Sequence, residues 1–147
     1  LAAAAAVLAV VGGGAVVWQQ VDRPDRSQQA LSETDRVLQA ADARRVNLSL
    51  PGGVRASLVR SVTEGRAVLV TRNMPAAPAG KVYELWLQTP GGAMVPAGLM
   101  KEAGSRTVLL RGDATTATGA GITVEPEGGS ESPTTEPIAL FDFSRAT

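Results

Sequence analysis

The hydrophobic positions along the chain fall into three regimes. Residues 1–18, LAAAAAVLAVVGGGAVVW, are continuously apolar, with the Trp18 indole as their hydrogen-bonding side chain. As a helix they would extend about 27 Å at 1.5 Å per residue, against a bilayer core about 30 Å thick. The sequence starts at Leu1 without a methionine, so upstream residues could complete the span. Gly12, Gly13 and Gly14 stand in a row. Each weakens a helix in water by about 1 kcal/mol and is better tolerated in a membrane. A cleaved signal peptide needs a small-x-small site, and AVVWQQV is a poor one. The pattern predicts a transmembrane helix over 1–18, truncated at its N-terminus, with Trp18 as an interfacial anchor.

Residues 19–45 change the period. Pro24 interrupts any continuous helix, and Asp25 with Gln28 resembles a capping box. Ala30, Leu31, Thr34, Val37, Leu38 and Ala41 then share one face at spacings of three and four, as an amphipathic helix requires. Such a juxtamembrane stalk helix can dock on the following domain, pair with a second copy, or stand free. Docking is the favoured expectation, because the helix is too short for a coiled coil. The stalk is also the expected protease-sensitive part, with its proline break and few large apolar residues.

From residue 46 the period becomes two. VNLSL, VRASLVRSV, RAVLVTR, VYELWLQ, RTVLLR, GITVE and PIALFDF read as strands separated by glycine and proline turns. The predicted fold class for 46–147 is all-β, an antiparallel β-sandwich-like domain. In VYELWLQ, Tyr83, Leu85 and Leu87 alternate with Val82, Glu84, Trp86 and Gln88. The first set is core. Trp86 is expected to cover a second, partly wet surface, as packing more than as a ligand platform.

Composition narrows the chemistry. There are 14 basic and 14 acidic residues, so no charge excess points to nucleic acid. Arginine outnumbers lysine twelve to two, a mark of codon usage in a GC-rich genome. The absence of cysteine and histidine excludes disulfides, Ser-His-Asp triads and ordinary zinc sites for these residues. Glu125, Glu127, Glu131 and Glu136 do not match a calcium-loop spacing, and the glycine pairs make no phosphate-binding motif. No cofactor, metal or enzymatic activity is expected.

Two separated motifs carry a family resemblance. The first is Tyr83, Leu85, Trp86 and Leu87, followed by a Gly-rich turn and Ala97, Gly98 and Leu99. The second is EPEGGSESPT, with Glu125, Pro126, Gly128, Gly129, Ser130, Pro133 and Thr134. Over residues 50–143 the chain resembles the C-terminal domain of the anti-sigma-K factor (RskA) family. The resemblance implies a single-pass cell-membrane protein with an extracytoplasmic C-terminal domain. It implies a cytoplasmic domain, absent from this chain, that sequesters an extracytoplasmic-function sigma factor. Site-one and intramembrane proteases would release that factor. It supplies no catalytic residues, so the motif residues are expected to be structural. The alternative is a membrane-tethered binding module for a cell-envelope ligand, unrelated to sigma factors.

Overall fold

The computed structural model describes residues 26–147; the candidate span 1–18 and the segment 19–25, with Pro24 and Asp25, lie outside them. Among the described residues no helix is long and apolar enough to cross a membrane.

Helix α1 spans Arg26–Gln39. Eight strands follow: β1 Arg44–Leu50, β2 Val54–Ser61, β3 Arg66–Met74, β4 Lys81–Gln88, β5 Met94–Met100, β6 Gly104–Leu109, β7 Gly119–Pro126 and β8 Ala139–Asp142. They form two four-stranded sheets, ordered β1-β2-β3-β6 and β5-β4-β7-β8. Every pairing is antiparallel, which fits the expected sandwich-like class. The two sheets are called A and B in that order.

Period-two alternation builds the core between them. Sheet A contributes Val46, Val54, Ala56, Leu58 and Leu69; sheet B contributes Tyr83, Leu85, Leu87, Ile122 and Phe141. Side chains alternate across each strand, so every such residue has neighbours aimed at an outer face. What covers the two outer faces differs.

On sheet A the cover is α1. Val37 is completely buried against Val59 and Val68, with Leu38, Ala43, Val70 and Leu109 around them. Ion pairs flank the contact, Arg66–Glu33 at 3.0 Å and Arg36–Glu64 at 3.3 Å. Past the helix, Asp42 accepts from the Ser61 hydroxyl at 2.6 Å and the Thr63 N–H at 2.8 Å. For residues 32–43 the choice among docking, self-pairing and a free stalk therefore falls to docking. Ala41, placed on the apolar face by periodicity, is exposed because the helix has already ended.

β5 was not among the expected strands. Pro96 lacks an N–H, which is tolerated on an edge strand, and β5 is the edge of sheet B. Leu85 pairs with Gly98 and Trp86 with Pro96, so Ala97 is an extra residue, a β-bulge. The bulge leaves the Ala97 carbonyl to accept from Arg111 N–H at 2.7 Å. At the far end of the chain, Arg45 and Thr147 exchange both backbone hydrogen bonds, at 2.9 and 3.0 Å.

Candidate functional site

The outer face of sheet B begins with the alternation in β4 and β7. Glu84 lies opposite Thr123, Trp86 opposite Gly121, and Val82 opposite Glu125. Trp86 is completely buried, which corrects the expectation that it covers a partly wet surface. It is also not in the inter-sheet core. The segment 127–138 lies over this face and closes it.

The closure rests on carboxylates. Glu125 is fully buried and accepts the Thr123 hydroxyl at 2.6 Å, the Ser130 hydroxyl at 2.9 Å and the Thr134 N–H at 3.0 Å. The Thr134 hydroxyl also donates to it. The Trp86 indole Nε1–H donates to the Thr123 oxygen at 2.9 Å, so a continuous chain runs from indole to hydroxyl to carboxylate to loop. Glu84 takes the Ser130 N–H at 2.7 Å. Ser130 thus bridges two buried acids, one through its backbone and one through its side chain.

The electrostatics of the two acids differ. Burial opposes ionisation of Glu125, but the Thr123, Thr134 and Ser130 donors outweigh it and hold its pKa at about 2. Glu84 is pushed up, chiefly by burial and also by the charge of Glu125, against the Ser130 N–H, which favours its ionised form. Hydrogen bonds to the charged form win at one site and desolvation wins at the other.

Close approach explains a glycine here. Gly129 has φ +85, and a Cβ on it would stand 2.9 Å from Leu99 Cδ2 and 3.1 Å from Glu84 Oε2. Gly121 similarly admits the Met94 side chain, since a Cβ would come 2.6 Å from Met94 Cε. Thr135 replaces a missing strand where β8 stops. Its hydroxyl donates to the Val124 carbonyl at 2.9 Å and accepts the Val124 N–H at 3.3 Å.

The motif residues therefore divide. Tyr83, Leu85, Leu87 and Ala97 enter the inter-sheet core. Trp86, Leu99, Glu125, Gly129, Ser130 and Thr134 gather on the outer face. Gly98 pairs with Leu85 inside β5. Pro126, the last residue of β7, and Gly128 are exposed, and Pro133 is half-buried. Glu84 and Thr123 were missed by sequence reasoning. Their signal was period two: each shares a strand face with a motif residue, Glu84 with Trp86 and Thr123 with Glu125. Glu127 pairs outward with Lys101 at 2.9 Å, and among the described residues no acidic group is arranged to hold a metal.

Chemically the cluster is suited to holding a loop. A carboxylate that ionises at about 2 is a weak general base near neutrality, because a useful base has a pKa near the working pH. The hydroxyls around it are donors satisfied by it.

A family model described as "Anti-sigma-K factor rskA, C-terminal" matches residues 1–138. The chain is 43% identical over 152 residues to a Streptomyces griseus protein described as "Uncharacterized protein in phr 5'region", covering 99% of this chain and 63% of that protein. It is 36% identical over 140 residues to "Anti-sigma-K factor RskA" of Mycobacterium sp. strain KMS, covering 92% of this chain and 55% of the relative. A protein of the same name from Mycolicibacterium vanbaalenii is 34% identical over 109 residues, covering 74% of this chain and 46% of the relative. The chain thus spans between 46% and 63% of the length of these relatives. No solved structure matches it. With its sequence matched almost end to end by the family model, the chain belongs to the anti-sigma-K factor RskA family, C-terminal region.

Proposed function

We propose that this chain is the membrane-anchored, extracytoplasmic part of an anti-sigma factor. In this reading residues 1–18 cross the membrane and the sandwich lies outside the cytoplasm. A cytoplasmic domain encoded upstream holds an extracytoplasmic-function sigma factor. Release follows a site-one cut in residues 19–45 and then an intramembrane cut, so the protein represses transcription until it is cleaved. The motif residues of the outer face of sheet B serve as structural fasteners in this scheme.

The observation that carries the reading, beside the family itself, is the docking of α1. The segment joining the candidate span to the domain is seated on sheet A by the buried Val37. Seating gives the domain a physical means of controlling a protease: backbone packed against a sheet must leave it before it can enter an active-site cleft. Val37→Asp removes about 1.5–3 kcal/mol of apolar burial and places a charge in the same apolar site. In the full-length protein it is expected to raise sigma-dependent reporter transcription at least about tenfold, the change in an equilibrium that 1.4 kcal/mol produces. An unchanged reporter in a variant whose helix is shown to be undocked would defeat the proposal. The alternative, an envelope-binding module, predicts no effect on any sigma-dependent promoter. It also predicts no helical domain of about 70–100 residues upstream, within the usual range for a domain.

A further inference from the structure

Beside the seat of residues 32–39 of α1, sheet A's outer face carries an unusual charge arrangement. A concavity of about 330 Å³ is lined by Arg45, Asn47, Ser49, Arg55, Ser57 and Arg72, with Leu48 and Val70 as its apolar part. Among the described residues its lining holds three guanidinium groups and no carboxylate. Among the described residues none of the three arginines takes part in an ion pair. Arg55 and Arg72 are direct cross-strand partners, a like-charge placement that costs stability. The β3 strand is irregular at this spot. Its register with β6 shifts between Thr71 and Met74, and Asn73 has φ 56. Bulges of this kind re-aim neighbouring side chains and recur beside functional sites.

The register sets the shape of a complementary ligand. Ser49 lies opposite Arg55, and Arg45 lies opposite Val59. Arg45 is therefore four residues along β1 from the Arg55–Arg72 pair, about 14 Å at the strand rise of roughly 3.4 Å per residue. Between the two ends Ser57 donates to Asn47 Oδ1 at 2.6 Å, a bond that uses the amide's acceptor and none of its N–H donors. The lining is rich in donors from end to end. Paired guanidinium forks at one end suit a phosphate, whose several oxygens can accept from two forks at once; a carboxylate fills one. A single orthophosphate would reach one end of the site and leave the other bare.

We propose that this face of sheet A binds an elongated polyanion bearing repeated phosphate groups, held by Arg55 and Arg72 at one end and Arg45 at the other. The proposal does not depend on the anti-sigma reading. Arg45, Arg55 and Arg72 are exposed, so their substitution leaves the core intact. Loss of the like-charge pair in Arg72→Gln should leave the melting midpoint equal or higher.

The 147-residue chain, kept in neutral detergent, is titrated with fluorescent linear polyphosphate about ten units long and, separately, with orthophosphate. Tight binding of the polymer, weak binding of orthophosphate, and at least a tenfold loss of polymer affinity in Arg55→Gln/Arg72→Gln are expected. Arg45→Gln should lower polymer affinity and leave orthophosphate binding unchanged. Lys101→Gln, the loss of one positive charge just past the end of β5, should alter neither. Equal binding by the wild type and the double variant would overturn the proposal, as would no binding at low salt. Polyglutamate bound as tightly and with the same arginine dependence would identify an acidic protein segment instead. Arginine-dependent affinity for phosphatidylglycerol mixed micelles without polyphosphate binding would identify the lipid surface instead. Either result overturns the polymer.

Discussion

At the scale of single residues, two acids and an indole decide how the loop is held. Trp86 combines full burial with a satisfied N–H. Trp86→Ala is expected to destabilise the domain by about 3–5 kcal/mol, the usual cost of deleting a large buried aromatic, read as a fall in the urea midpoint. An unchanged midpoint would contradict the burial. Glu125 supplies a pH signature. Its pKa is lowered from 4.5 to about 2 in the folded chain, so the unfolded state binds its proton first. Its stabilising contribution is complete above the ordinary carboxylate range and is lost as pH falls towards 2. Glu84 is shifted the other way: its proton favours the folded state and partly offsets the loss. Glu125→Gln is expected to cost about 1–3 kcal/mol near neutrality, since an amide keeps one acceptor oxygen and leaves donors unpaired. It should also flatten the fall in the urea midpoint between pH 4.5 and 2. An equally steep fall in the variant would assign the acid sensitivity elsewhere. The buried position of Trp86 was legible as packing, but its being dry was not. The cover comes from a segment more than forty residues away, beyond the reach of strand periodicity.

At the scale of elements, the same periodicity succeeded and failed for identifiable reasons. β2, β3 and β4 alternate over long runs, and the expected segments overlap them closely. β5 escaped because Pro96 and Gly98 are local breakers; its strand character comes from pairing with β4. The helix was legible from its apolar spacing, although its seat, made by Val59 and Val68 of β2 and β3, was not. Docking alters the expected pattern of proteolysis. Residues 75–80, MPAAPAG without its methionine, lie between β3 and β4 and are mostly exposed. Segment 127–138 is twice as long but is tied down at Ser130, Thr134 and Thr135. Limited proteolysis read by mass spectrometry should therefore cut within 75–80 before 127–138, and before residues 32–43. In Val37→Asp the first cut should move into 32–43. Early cleavage of that segment in the unaltered chain would mean that it is not held.

At the scale of the whole molecule, the layers run helix, sheet A, sheet B and covering loop. The class of fold was legible from strand spacing. The return of β6 to sheet A after two strands in sheet B was not, because such a choice is settled by which distant faces fit. The arginine face was equally hidden. Arg45, Arg55 and Arg72 lie on three successive strands and share one face through register alone. The seat of α1 has a further consequence. A helix whose fully buried side chain, among the described residues, is Val37 is in equilibrium with its released form. The roughly 1.5–3 kcal/mol from burying that side chain would leave about 0.6–7% of molecules released at any instant, if it alone opposed opening. Under the proposed function, that fraction multiplied by the protease's rate is the unstimulated output of the system. The signal then has no barrier to break. It shifts a standing leak, and the size of residue 37 sets the noise floor from which every response is measured.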